Sequence, residues 1–440
     1  MRNLIIFLSL IGTIINASAQ SPLTLEQAIQ IGVENSKTLR SSELNVTAAE
    51  EKYHEVNSNR FPSLNFSGRY TRLSTVPPFA VSLPISIPGI PNSFVISPNI
   101  YNNYNFQLTV QQPIFTGFQL SNAVEAAQKN ADAVAFDVRS SRSSLKLQIA
   151  TSYWNLYRAI QARNFMKENL DRVKLHFKQA QDLYDQGMLT QSDLLSAKVQ
   201  VSNSELMLMD AENNVRLAAV ALNNVIGVPL DREYQITSVP QVSDTSLPDL
   251  NKLIETALSN RPDMESMKLR VEAAGAAVKS AWGAFLPQLA LVGNYYYSRP
   301  NNRILPAVDE FKNTWDVSLA LSFNIWNWGK TAASVEQARV QMEQARLGEK
   351  QLADGIYLDV TQSFLNFKQA KDKIAVVKMA MKDAEESYRV TDQKFKVGLA
   401  TNTDLKDAEL TLLQAKLNYA QALTDLEIAR VNMQRAVGSL

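Results

Sequence analysis

Two aspartates three residues apart, Asp404 and Asp407, lie in the stretch KVGLATNTDLKDAEL (Lys396 to Leu410), just past a glycine. At i and i+3 of a helix they share one face, so their carboxylates can act together. Such a pair can start a helix, or it can place negative charge where a cation is attracted. Other chemistry is scarce. There is no cysteine, which excludes disulfides, thiolate catalysis, Cys-zinc sites and a lipid-modified N-terminal cysteine. The two histidines, His54 and His176, are far apart in sequence and read as solvated or core side chains, not as a triad or metal site. No nucleophile elbow, metal motif or phosphate loop is present, so no enzyme and no cofactor is expected, and metal chemistry is limited to weak cation binding at Asp404 and Asp407.

The elements that must position this pair emerge from a duplication. LYDQGMLTQSDLLSAKVQ (Leu183 to Gln200) lies over KFKVGLATNTDLKDAELT (Lys394 to Thr411), pairing Gly187 with Gly398 and Asp193 with Asp404. At the same offset Ser152, Tyr153 and Asn155 fall on Ser363, Phe364 and Asn366, and VIGV (Val225 to Val228) falls on AVGS (Ala436 to Ser439). Upstream, RFPSLNFSGRY (Arg60 to Tyr70) matches AFLPQLALVGNYYY (Ala284 to Tyr297). In each half the second helix of a hairpin opens alike, with Thr190 three residues before Asp193 and Thr401 three before Asp404, a capping-box spacing. Asp407 differs, because its partner is Ser196. A capping requirement would have applied to both halves.

Phe118 to Gln186 contains neither Gly nor Pro and repeats its apolar residues at three and four, predicting a helix of about 100 Å. Its counterpart, Lys330 to Val397, carries Gly348 and Gly355, each weakening the helix by about 1 kcal/mol relative to Ala without ending it. Met188 to Ile226 and Leu399 to Val437 then return, turning at Gly187 and Gly398. Between the helices the period changes to two. YNFQLTVQQPIF (Tyr104 to Phe115) and WDVSLALSFNIW (Trp315 to Trp326) alternate apolar with polar residues, and Leu64 to Arg72 and Leu289 to Tyr297 do so less cleanly. A tilted membrane strand takes about 9–11 residues. Tyr70, Tyr101, Tyr104, Phe115, Phe118, Tyr295, Tyr296, Tyr297, Trp315, Trp326 and Trp328 gather at the strand ends, as in an outer-membrane girdle. Four strands cannot close a barrel, and open edges in lipid leave backbone groups unsatisfied, so copies must associate; 8, 12 or 16 strands all remain open.

Arg2, the apolar run Leu4 to Ile15 and Ala17-Ser18-Ala19 form an export signal over residues 1–19. No later stretch is apolar for about 18 residues, so no transmembrane helix follows. The net charge of +1, from 44 basic and 43 acidic residues, gives no field for nucleic acid. The expected organisation is a first repeat over 20–228, with strands about 62–73 and 103–116 and a hairpin over 118–226. A linker follows over 229–262, with one short helical piece from Asp249 to Ser259. The second repeat covers 263–440, with strands about 286–298 and 312–327 and a hairpin over 330–438. Ser74 to Asn99, with Pro77, Pro78, Pro84, Pro88, Pro91 and Pro98, reads as a long loop.

These motifs in their doubled order resemble the TolC family of outer-membrane efflux proteins. The carriers are LTLEQAIQIGVENS (Leu23 to Ser36) echoed by LPDLNKLIETALSNRPDM (Leu247 to Met264), the FPSL and FLPQL strand starts, QPIFTGF and NIWNWGK, and the two hairpin tips. The resemblance implies a homotrimer with a 12-stranded barrel in outer-membrane lipid, continued by a periplasmic α-barrel of long antiparallel hairpins. It implies a passive exit duct served by an inner-membrane pump and a periplasmic adaptor. Asp404 and Asp407, with Asp193, would then line the entrance; around a threefold axis the first two make stacked rings that attract cations and should raise the pKa of some members. Gly187, Met188, Leu189, Thr190, Val397, Gly398, Leu399 and Thr401 would meet the adaptor. The family latch, a Tyr three residues before the turn glycine and an Arg two after it, is here Phe395 and Ala400. Closure is therefore expected to rest on helix packing, with Asp193 not bonded to a side chain of the 394–404 tip. An exported structural or adhesive coiled-coil protein without a transport role is the alternative, and it predicts sustained heptads and no lipid-type strands.

Overall fold

The computed structural model describes residues 21–74, 79–82, 84–85, 88–91, 93–97, 99–242 and 249–440. The export signal expected over residues 1–19 lies outside them. In chain order the elements are β1 (Ser21–Leu23), α1 (Leu25–Asn35), α2 (Lys37–Ser58), β2 (Ser63–Arg72), β3 (Phe79–Ser82), β4 (Ser93–Ser97), β5 (Asn102–Phe115), α3 (Gln119–Asp185) and α4 (Gln191–Ile226). There follow β6 (Tyr234–Ile236), α5 (Leu250–Asn260), α6 (Pro262–Trp282), β7 (Gln288–Arg299), β8 (Lys312–Ser322), α7 (Lys330–Lys396) and α8 (Asn402–Val437). The helices α3 and α7 are both 67 residues long, and α4 and α8 both 36. Gly348 and Gly355 are absorbed within α7. Among the described residues no helix is long and apolar enough to cross a membrane.

Contacts divide the chain into two compact units. One comprises Leu44–Phe136 and Glu265–Gln351; the other comprises the described part of Met1–Glu43 with Asp137–Met264 and Leu352–Leu440.

The first unit holds an antiparallel sheet in the order β2-β5-β7-β8. Its register sorts side chains by chemistry. Cross-strand partners Gly68, Phe106 and Tyr297 share one face with Phe66, Leu108, Tyr295 and Trp315. Phe311 joins that face, 5.0 Å from the Tyr297 ring and 5.6 Å from Tyr104. The other face carries Ser67, Gln107, Tyr296 and Thr314 in one row and Asn65, Thr109, Asn294 and Asp316 in the next. There Asn294 accepts from Gln107 Nε2 at 3.0 Å and Thr109 Oγ1 at 2.9 Å, and donates to Asp316 at 2.9 Å. Phe66, Trp315, Val317, Leu319 and Leu321 are each more than 60% exposed, so this part of the apolar face lacks cover among the described residues.

The strand expected to run to 327 ends at Ser322, opposite Gln288. The next partner would be Pro287, which has no N–H to donate, so the ladder stops although the alternation continues to Ile325. The proline-rich segment is not loop throughout, because β3 and β4 pair antiparallel within it; Pro77, Pro78 and Pro98 lie outside the described residues. At both strand-to-helix junctions a bulky residue takes positive φ, Phe118 at 63° and Trp328 at 56°. Such conformations are rare away from Gly and persist only where the surroundings hold them. Phe118 is held edge-on to Phe115 at 5.2 Å and Trp328 to Trp326 at 5.8 Å.

The second unit packs two cores from equivalent parts of the repeats. Ile149, Tyr153, Leu222 and Ile226 bury against Leu23 and Ala28, and Ile356, Val360 and Ala436 bury against Ile254, Ala257 and Met264. The Tyr153 hydroxyl is fully buried; it donates to Leu23 O at 2.8 Å and accepts from Ser238 N at 3.0 Å, pinning the parallel β1–β6 pair. Beside the second core Asp359 accepts from Arg261 at 2.6 Å and from Arg435 at 2.8 Å, while Asp263 accepts from Arg261 at 2.7 Å.

Candidate functional site at the hairpin tips

Each long helix ends in the same turn. Gly187 and Gly398 both adopt φ 73°, a left-handed conformation at which a Cβ is strained. Met188 N donates to Leu183 O at 2.9 Å and Gly187 N to Tyr184 O at 2.9 Å. Leu399 N to Lys394 O, at 2.8 Å, and Gly398 N to Phe395 O, at 3.0 Å, repeat the arrangement. These paired bonds satisfy the last carbonyls of α3 and α7 as a Schellman motif. The side chains that follow face out: Met188 is 63% exposed, Val397 68% and Leu399 77%. Leu189 is half-buried, and Gly187, Thr190, Gly398 and Thr401 are exposed.

The return helices begin as their sequences predict, with one difference between halves. Thr401 Oγ1 accepts from Asp404 N at 3.1 Å and donates to Asp404 Oδ2 at 2.7 Å, and Thr401 N donates to the same carboxylate at 2.8 Å, completing a capping box. Asp193 N to Thr190 Oγ1 (3.2 Å) and Thr190 Oγ1 to Asp193 Oδ2 (2.6 Å) give the reciprocal side-chain contacts without the third bond. The Thr401 hydroxyl, then the Thr401 N–H, hold the Asp404 carboxyl below the ordinary carboxylate range. Asp404 thus remains ionised at neutral pH.

Asp407 is exposed, and its carboxylate has no hydrogen-bond or ion-pair partner among the described residues; only its main-chain carbonyl is used, accepting from Thr411 at 2.7 Å. Within one chain, therefore, Asp404 does capping work that Asp407 does not share.

The tips of the two hairpins meet, but without a polar bond at the positions of the family latch. The Asp193 carboxylate stays on Thr190, and its carbonyl accepts from Asn402 Nδ2 at 3.5 Å, the far limit of a hydrogen bond. Asn402 is therefore a side chain of the second tip that does reach Asp193, weakly and by the main chain, and the sequence reading missed it. Phe395 is buried at 3% exposure and lies edge-on to His176, with ring centroids 5.0 Å apart. Of the two histidines His54 is exposed and His176 buried. Behind the tips, Lys416 of α8 bridges to Glu168 of α3 at 2.8 Å. Burial pushes the Glu168 carboxyl up, but the Lys416 hydrogen bond and charge, with Arg172, outweigh it and hold the group below its usual range.

Comparison with known proteins places this geometry. The sequence pattern of the family described as "Outer membrane efflux protein" matches residues 28–228 and 253–439, both repeats. The chain is 23% identical over 451 residues to the outer membrane protein TolC of Escherichia coli (strain K12), covering 99% of this chain and 86% of that protein. It is 23% identical over 333 residues to the outer membrane efflux protein BepC of Brucella suis biovar 1 (strain 1330), covering 76% and 72%. Among solved structures, the outer-membrane channel OprN superposes with a TM-score of 0.77 at 18% identity, covering 94% of this chain and 90% of that one. The CmeC outer membrane channel of Campylobacter jejuni does so with a TM-score of 0.78 at 17% identity, covering 94% and 85%. With two helical hairpins, each preceded in sequence by two strands of one four-stranded sheet, and a family pattern that spans both repeats, the chain belongs to the outer membrane efflux protein family.

Proposed function

We propose that the chain assembles as a homotrimer and serves as the outer-membrane exit duct of a tripartite efflux or secretion system. Three four-stranded sheets close into a 12-stranded barrel, β8 of one copy pairing with β2 of the next, and the hairpins form a periplasmic α-barrel. The observation that carries this reading is the sheet itself, which among the described residues has one uncovered apolar face, one hydrogen-bonded polar face, and two edges without partners. Lipid covers the first, water fills the second, and neighbouring copies satisfy the edges, since unsatisfied strand edges are not tolerated in hydrocarbon. The duct is passive; an inner-membrane pump supplies the energy and a periplasmic adaptor joins the two.

The adaptor docks on the tips, at Gly187, Met188, Leu189, Thr190, Val397, Gly398, Leu399 and Thr401, where apolar side chains stand exposed. Asp404 and Asp407, with Asp193 beside them, form the acidic entrance, and cations bind there weakly. Repulsion within the ring opposes the Thr401 contacts that hold Asp404 low, and it acts undiluted on Asp407, which has no such contacts. Entrance closure rests on helix packing and the Asn402 contact, because Phe395 and Ala400 offer no polar side-chain group.

Membrane fractionation and planar-bilayer recording test the duct. A heat-modifiable trimer extracted by detergent from the outer membrane, conducting when reconstituted, is expected. A soluble periplasmic product, or a membrane trimer that never conducts, overturns it.

A further inference from the structure

Eleven residues before one turn glycine and eleven after the other, α3 and α8 bury a pair of ionisable groups that nothing above has used. His176 of α3 is 4% exposed and Glu409 of α8 is 1% exposed. His176 Nδ1 lies 3.8 Å from Glu409 Oε2, within ion-pair reach but beyond a hydrogen bond. Neither Glu409 oxygen nor His176 Nε2 has any hydrogen-bond partner among the described residues. The duplication places Ser387 opposite His176 and Lys198 opposite Glu409, so hairpin packing as such does not call for the pair.

The groups facing the pair come from all four helices. On α3, Arg172 is one turn from His176; its Nη1 is bonded to Glu168 at 2.7 Å while Nε and Nη2 are unbonded. On α7, Tyr388 lies under the Arg172 guanidinium at 5.6 Å, and Phe395 packs on His176. Burial first, then the charges of Glu409 and Asp392, push the Tyr388 hydroxyl up to about 12, so it stays neutral. Asp392 is engaged by Lys396 at 2.6 Å. On α8, Lys416 is engaged by Glu168 and lies 4.0 Å from Glu385. The buried polar residues of α4 are Gln200, Ser204 and Asn223, all uncharged.

A buried carboxylate that accepts no hydrogen bond is strongly disfavoured when ionised, unless a cation is beside it. One shared proton, on the imidazole or on the carboxyl, would leave the pair without net charge. Loss of that proton strands a bare carboxylate between helices, which only water can relieve. Glu409 is two residues from Asp407 and on the opposite side of α8, one buried and the other exposed. Whatever separates Glu409 from α3 moves the entrance carboxylate with it.

We propose that His176 and Glu409 form a proton-dependent tie between the two hairpins of each chain and act as positioning residues for the entrance. The tie holds α8 against α3 while the shared proton is present and releases it as pH rises. This rests on the duct reading, and the test separates the two. Wild-type trimer is recorded in planar bilayers from about pH 5.5 to 8.5, the span over which histidines ordinarily titrate. Opening should increase with pH, by at most about tenfold per pH unit for each chain, the limit for one linked proton. Glu409→Gln, which keeps the shape without the charge, should stay near the low-pH level throughout, and His176→Gln should also lose the slope. Detergent gels establish that each variant is a trimer, and if one fails to assemble the other decides. A wild-type channel with no slope, meaning that Arg172 compensates Glu409 instead, overturns the tie but leaves the duct standing, as does a slope that survives in an assembled variant. No conductance from any protein at any pH overturns both.

Discussion

Asp407→Asn is the cleanest probe of the acidic entrance, because it removes charge without removing any hydrogen bond of the folded chain. The same change at Asp404 would also dismantle a capping box. In a trimer it deletes three of the six carboxylates that the pair contributes, in a ring about 4.5 Å along the helix from the Asp404 ring. For a carboxylate set about 8 Å from an ion on the axis, with salt near 0.1 M, a screened charge in water raises the local concentration of a divalent cation about twofold. Three such charges multiply to about tenfold. The assay is block of single-trimer conductance by magnesium added on the tip side. The blocking concentration should rise about tenfold in Asp407→Asn, fall back toward wild type as salt is raised, and leave thermal stability unchanged. A blocking concentration equal to that of the wild type would refute the reasoning, since it would mean that Asp407 faces away from the ion path.

Tyr153→Phe should destabilise the β1–β6 corner by about 1–2 kcal/mol, because losing the hydroxyl leaves the Ser238 N–H unpaired while Leu23 O keeps its bond from Thr237 N; amide exchange at Ser238 should accelerate accordingly, and an unchanged rate would count against it. Gly398→Ala should cost about 1 kcal/mol through its left-handed conformation, and Gly187→Ala the same, read as faster protease cleavage at the tips. Burial raises the Asp263 carboxyl, but the Arg261 bonds and charge outweigh it and hold the group below the usual range. A lowered folded value contributes stability that is complete above about pH 4 and lost as pH falls through that value. Asp263→Asn should therefore flatten the acid limb of a stability–pH curve and leave its slope near neutrality unaltered.

Much of the architecture was legible because it is written in periodicity over long spans. The 3.6 period of α3 and α7 persists for 67 residues, far beyond the reach of local accident, and the duplication confirms each boundary against its twin. The strand β5 was legible for the same reason in its own period. The limit of β8 was not, because it is set by its neighbour: Pro287 stops the ladder from across the sheet. β1 and β6 are three residues each, too short for any period, and exist because Tyr153 supplies their missing partners. At the tips, turn glycines and capping threonines are local signals and could be read directly. Asn402 and the His176–Glu409 pair are matters of which helix faces which, and a lone asparagine, histidine or glutamate in a helical run carries no mark of its partner. The one available clue was the duplication, in which His176 and Glu409, like Asp407, lack a counterpart of their own kind.

The seam between β5 and β7 has a further consequence, for the order in which the chain can fold. Gln107 meets Asn294 across a separation of 187 positions in sequence, whereas the turn at Gly187 joins helices that are adjacent in the chain. Closing the long loop costs more entropy and waits on more synthesis than closing the short one. During export β2 and β5 emerge with an apolar face and an open edge long before β7 arrives to pair with them. The first helical hairpin is complete in that interval and the sheet is not, so the polypeptide spends its early life as a folded rod carrying two sticky strands. Those strands keep an apolar face and an open edge exposed until the second half has crossed.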